Sequence, residues 1–200
     1  MKKIVGLLVG IFTLFSFSGC ESQTTLTFKS SDFLYLSDVS NEYPKEIVYG
    51  VLKSQLALHD NSLDSYSKGK VTKYSFEDRL MNTLYLEVSS DYLKIYDYQT
   101  LILKDTKLEF FMDLDNFRYE YNYDGWLYDQ NFGNLYFKTL STFIGKANNN
   151  PYSGKMLIKK DGMSIYVDVV DSINVDITLD YESDGLHDKV IYTTWAELGF

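Results

Sequence analysis

The spacing of apolar residues changes once along this chain. Between Pro44 and Leu58, the residues Ile47, Val51, Leu52, Leu56 and Leu58 recur at loose three-to-four spacing. That pattern predicts a helix opened by Pro44 and ending near His59-Asp60-Asn61. A second short helical turn is expected over Phe76 to Asn82. From about Gly69 onward the period is otherwise two. Leu84, Leu86 and Val88 alternate with Tyr85 and Glu87, and Leu93 and Ile95 alternate with Tyr92, Lys94 and Tyr96. Leu108, Phe110, Met112 and Leu114 alternate with Glu109, Phe111 and Asp113. Phe117, Tyr119, Tyr121 and Tyr123 share one strand face, opposite Arg118, Glu120 and Asn122.

Asp-Gly steps punctuate these strands at 124–125, 161–162 and 184–185. A tight hairpin needs positive φ at its centre, so each step predicts a hairpin. The first would join Phe117–Tyr123 to Trp126–Tyr128, the second Lys155–Lys159 to Ser164–Val170, the third Val175–Tyr181 to Lys189–Trp195. In the last pair Val175, Ile177, Leu179 and Tyr181 face one way and Asn174, Asp176, Thr178 and Asp180 the other, as in a sheet wet on one side. Lys146–Pro151 reads as the main loop between two sheet regions, and Thr194 with Glu197 as the cap of a last turn ending at Gly199. The expected fold is mainly β: an antiparallel sandwich or half-barrel meander with one N-terminal helix and roughly nine to eleven strands.

Ahead of this body, Met1-Lys2-Lys3 precedes an almost unbroken apolar run from Ile4 to Phe17, followed by Ser18-Gly19-Cys20. The run is short for a membrane span of about 20 residues and has the flanks of a cleaved signal. Phe17-Ser18-Gly19-Cys20 resembles the lipobox of bacterial lipoprotein signal peptides, departing from it at Phe17, where that family usually carries leucine. The resemblance implies a signal at 1–19, acylation of Cys20, a lipidated tether at 20–31 and a single mainly-β domain at 32–200. It also implies a place in the cell envelope. Glu21 stands where enterobacterial lipoproteins retained in the inner membrane carry aspartate, so the outer membrane is favoured in a double-membraned cell. An ordinary secretory signal with a chance cysteine is the alternative.

Composition narrows the partners. Cys20 is the only cysteine, so an exported domain would rely on core packing without disulfides. Loss of Lys2 and Lys3 with residues 1–19 takes the formal charge from −9 to −11. Such a body repels nucleic acid and anionic headgroups, which leaves the lipid anchor as the membrane contact. The 18 tyrosines and 13 phenylalanines suit half-buried strands.

Two constellations carry candidate chemistry. Asp180, Glu182, Asp184 and Asp188, with Gly185 at the sixth position, resemble the D-x-D-x-D-G calcium loop. There alternate oxygen ligands curl around a hard cation and glycine permits the turn. Glu182 replaces the usual Asp or Asn, Ile191 stands where a bidentate Glu should close the shell, and strands flank the loop. A plain acidic hairpin turn is the simpler reading. Tyr119, Tyr121, Tyr123, Trp126 and Tyr128 form the second: a platform for sugar rings or the wall of an acyl cavity if they face a ligand, and otherwise a core face. Asp113 and Asp115 with Asn116 fit a solvated strand face better than a second cation site. His59 and His187 are too few and too scattered for a metal triad or a Ser-His-acid set, and neither a phosphate loop nor H-E-x-x-H occurs.

The stretch from Pro151-Tyr-Ser-Gly154 through Asp184-Gly185 to Thr193-Thr194-Trp195-Ala-Glu-Leu198 is similar to the ends of uncharacterised exported proteins and lipoproteins of proteobacteria. That resemblance implies a shared β-hairpin module and no known activity. A non-catalytic binding or structural module at the envelope is expected, its partner an envelope protein or a glycan. Calcium-assisted glycan binding and a lipid carrier with a cavity under the helix are the alternatives, with an enzyme behind them.

Overall fold

The computed structural model describes residues 40–59, 67–96 and 100–200. The signal segment, Cys20, the 20–31 tether and the expected helix end at Asp60-Asn61 lie outside the described residues. Among the described residues there is one helix, α1 (Glu42–His59), with Glu42 and Pro44 in its first turn, where a carboxylate meets the positive end of the helix and a missing N–H costs nothing. Its Ile47, Val48, Val51, Leu52 and Leu58 are buried, following the spacing of one helical face.

Nine strands follow among the described residues: β1 (Ser67–Asp78), β2 (Thr83–Tyr96), β3 (Thr100–Asp113), β4 (Arg118–Asp129), β5 (Gly133–Lys146), β6 (Ser153–Lys160), β7 (Met163–Val169), β8 (Asn174–Asp180) and β9 (Lys189–Thr194). They form one antiparallel sheet in the order β1 to β9. The fold is therefore mainly β and an open meander; the sandwich alternative does not apply. β2 to β9 each bury alternate residues on one concave side, β1 is exposed or half-buried along its described side chains, and α1 lies against β2, β3 and β4 on the concave side. The segment after β9 reaches the same helix: the Tyr49 and Phe200 ring centroids lie 5.7 Å apart and Lys45 Nζ is 3.2 Å from Glu197 Oε2. Early and late strands thus converge on α1, which requires a strongly curled sheet. Register shifts between β1 and β2, β3 and β4, β4 and β5, and β5 and β6 supply the bend.

Several expectations hold. Asp161 and Gly162 have φ of 44° and 86°, both left-handed, and pair Lys160 with Met163 in a two-residue hairpin. Glu197 N–H donates to Thr194 Oγ1 at 3.1 Å, capping the last turn before Gly199. Others need correction. Asp124-Gly125 makes no hairpin: β4 runs through it to Asp129, and Gly125 sits at a bulge where a Cβ would stand 2.8 Å from Thr106 Cα. Glycine is required there by close approach of the neighbouring strand instead of by a turn. Phe76–Asp78 is strand, not helix, and the turn over 79–82 is shaped by Asp78, whose Oδ1 accepts the N–H groups of Leu80 and Met81. Lys146–Pro151 links β5 to β6 within a single sheet. The third Asp-Gly step lies inside the longer 181–188 connection between β8 and β9.

Candidate functional site

The aromatic stripe divides between two faces. With no turn at 124–125, strand parity is unbroken along β4: Tyr119, Tyr121, Tyr123 and Leu127 point inward, and Trp126 and Tyr128 point out with Arg118, Glu120 and Asn122. The three inward tyrosines are core. Tyr121 stacks on Phe143 at 4.9 Å, Tyr123 packs tilted against Phe137 at 4.5 Å, and Tyr119 lies between Phe110 and Tyr121 at 6.1 and 6.2 Å. Tyr119 O–H donates to Asn149 O at 2.8 Å, and its ring covers Gly145, where a Cβ would collide with it. Burial pushes all three phenols well above the ordinary tyrosine range.

Between α1 and this aromatic floor lies a cavity of about 60 Å³, lined by Leu52, Gln55, Phe110, Tyr121, Trp195 and Phe200 among others. Small-molecule sites enclose roughly 300–1,000 Å³, so this space holds no acyl chain in the described conformation. Trp195 Nε1, on the cavity lining, is buried without a partner, and so is Asp129 Oδ2 away from it at the far end of β4. Burial raises the Asp129 carboxyl, against the opposing pull of the Asn131 and Phe132 amides and Lys53.

In the acidic loop, each of three carboxylates serves the backbone. Asp180, fully inside, accepts the N–H groups of Asp184 (3.1 Å) and Gly185 (3.0 Å); Asp188 accepts that of Tyr181 (2.7 Å) and Asp184 that of Leu186 (2.8 Å). Glu182 is exposed. Among the described residues no three His, Cys, Asp or Glu side chains come together in a metal-holding group. The Asn116 side chain first, and then the N–H groups of Asn116 and Asp115, donate to Asp113 and hold its carboxyl below the usual range. His187 lies 5.6 Å from the Tyr166 ring, and the His59 side chain is outside the described residues.

Of the predicted stripe, Trp126 (47 % exposed) and Tyr128 (40 %) face water on the convex side, with Tyr136 of β5 packed against Trp126 at a centroid distance of 5.1 Å. Strand periodicity places Trp126 and Tyr128 together; Tyr136 joins them only through the β4–β5 register, which a single sequence does not reveal. Compared with known proteins, the chain matches no family model, no curated protein and no solved structure.

Proposed function

We propose that this chain is a lipid-anchored envelope protein whose curled sheet is a non-catalytic binding module. The lipobox residues Ser18-Gly19-Cys20 support the anchor. The binding reading is carried by one observation: the concave side is filled by α1 and stacked rings, while Trp126, Tyr128 and Tyr136 gather on the solvent face. An exposed aromatic cluster on rigid strands is a recognition surface by its chemistry, since each ring offers apolar area at little entropic cost. The anchor is tested by growing producing cells on labelled palmitate. The label should enter the protein and be lost in Cys20→Ser; labelling that survives that change, or is absent from the parent, overturns the anchor.

A further inference from the structure

The antiparallel register assembles a row that no stretch of sequence contains. Lys70 pairs with Tyr92, Tyr92 with Lys104, Lys104 with Trp126, Trp126 with Tyr136, and Tyr136 with Lys159. These six residues lie side by side across β1 to β6 on the convex face. At about 4.8 Å per strand the row is about 24 Å long. It holds three cations and three aromatic rings and no carboxylate. On one side the neighbouring row, Ile102, Tyr128 and Asn134, holds none either; on the other side stands Asp124, whose Oδ1 accepts the Thr139 N–H.

The cations of the row are not spent within the fold. Lys70, Lys104 and Lys159 are exposed and form no ion pair among the described residues. Asp105, at the bulge beside Lys104, makes no salt bridge with it. Lys107, one step further along β3, gives the contrast: Glu87 and Glu109 hold its ammonium at 3.1 and 2.7 Å. Nor do the rings take up the row's charge, because the cation–π contact found among the described residues is Lys53 over Tyr49. A basic strip thus survives on a chain of net charge −9. The three ammonium groups stand on β1, β3 and β6, about 10 and about 14 Å apart at strand spacing, and a partner carrying spaced anionic groups complements them.

We infer that this row binds a polyanionic glycan, with sugar faces on Trp126, Tyr136 and Tyr92 and acidic groups on Lys70, Lys104 and Lys159. The inference rests on the binding-module reading above and names its ligand class. Alternation of rings and cations at strand spacing suits a chain of acidic sugars. A planar anionic bilayer fits less well, because the sheet curls away from a plane along this row. Single-stranded nucleic acid presents rings and charge too, but a protein at the cell envelope, as proposed above, meets glycans and not nucleic acid.

The test uses the purified full chain in mild detergent, by affinity electrophoresis and by tryptophan fluorescence. Dextran sulfate and polygalacturonate are the anionic probes, and dextran is the neutral match. Trp195 is only 3 % exposed, so quenching reports Trp126. The expected result is retardation and quenching by an anionic probe and not by dextran, weakened at least tenfold between 50 and 200 mM salt, roughly as multi-cation contacts with polyanions behave. The double change Lys104→Glu with Lys159→Glu should abolish binding, and Trp126→Ala should weaken it about fivefold or more, by the usual effect of a lost stacking ring. Tyr192→Ala, on exposed β9 outside the row, should bind like the parent. Every altered side chain is at the surface, and melting curves confirm folding; should Trp126→Ala fail to fold, the lysine pair decides. Equal binding of dextran, no binding of either anionic probe, or an undiminished double variant overturns the proposal. Binding only to anionic vesicles or to oligo(dT) overturns it too, by reassigning the row to lipid or to nucleic acid. Palmitate labelling is independent of all these outcomes, so the anchor stands or falls separately.

Discussion

Tyr123 donates its phenolic proton to Ser54 Oγ across 2.8 Å, at the point where α1 crosses β4. The direction follows from valence: the single Ser54 hydroxyl proton goes to the Val51 carbonyl at 2.6 Å, leaving only a lone pair for Tyr123. Both residues are fully buried, so this bond joins helix to sheet inside the core. Tyr123→Phe should cost about 1 kcal/mol, the usual net worth of a buried hydrogen bond, and Tyr123→Ala about 3–5 kcal/mol through the cavity it leaves. Urea unfolding of the two variants checks the ratio; equal losses would mean that packing alone holds α1 in place.

The buried tyrosines set an alkaline limit to stability. Burial raises Tyr119, Tyr121 and Tyr123 in the folded state, whereas in the unfolded chain a phenol titrates near pH 10. Their contribution is complete below about pH 10 and falls as pH rises above it, because only the unfolded form then ionises freely. Melting temperature should drop from about pH 10 upward. Absorbance at high pH should resolve a late-ionising group of tyrosines that joins the early group on adding urea; a single early transition in the native protein would contradict the burial.

Asp129 holds a charge where water does not reach. Its Oδ1 accepts the Asn131 N–H at 2.7 Å while Oδ2 has no partner. Asp129→Asn keeps an acceptor for that amide and removes the buried charge. It should raise stability at pH 7 by about 1 kcal/mol through removal of the desolvated charge, with an unpartnered Nδ2 taking the place of Oδ2. Because burial raises the folded-state pKa, the parent carboxyl picks up its proton first in the folded form as pH falls. The advantage of the variant should therefore shrink on acidification. Paired melts at pH 7 and pH 4 test this, and a variant less stable than the parent at pH 7 refutes it.

Gly125 and Gly162 separate two uses of glycine. At Gly125 a Cβ would press on the Thr106 backbone and hydroxyl at 2.8 Å; at Gly162 nothing lies within 4 Å, and only φ of 86° matters. Gly125→Ala should lose about 2–3 kcal/mol from forced backbone displacement together with an unfavourable φ of 151°, and Gly162→Ala about 1 kcal/mol from conformation alone. Chemical denaturation of both ranks them, and the reverse order would place a turn at 124–125 after all.

The 181–188 connection folds over Asp180. Asp180→Ala frees two amides, from Asp184 and Gly185, and should cost about 1–3 kcal/mol. With Asp180, Asp184 and Asp188 bonded to amides, the melting temperature should be the same in millimolar calcium and in chelator. A calcium-dependent rise that Asp184→Ala removes would restore the cation reading.

Much of the architecture was legible along the chain because it is local. The helix at 42–59 follows from its apolar spacing and Pro44, the hairpin at Asp161-Gly162 from a two-residue need for positive φ, and the final turn from the Thr194 hydroxyl beside the Glu197 amide. Strand parity separated the inward Tyr119, Tyr121 and Tyr123 from Arg118, Glu120 and Asn122 correctly. The same rule misled at Asp124-Gly125, since a glycine demanded by a turn and one demanded by a crowding neighbour strand look identical in one dimension. That single step decides whether Trp126 and Tyr128 continue the inner stripe or face water.

Sequence by itself thus determined the helix, the alternation within most strands and the acidic, tyrosine-rich character, because each depends on neighbours a few bonds away. Only the tertiary structure decided that nine strands make one curled sheet around α1 and that its concave side is filled. It alone also set Lys70, Lys104 and Lys159 beside Tyr92, Trp126 and Tyr136. Those choices depend on inter-strand register and bulges, where residues far apart in the chain meet, and no periodicity within one strand encodes them.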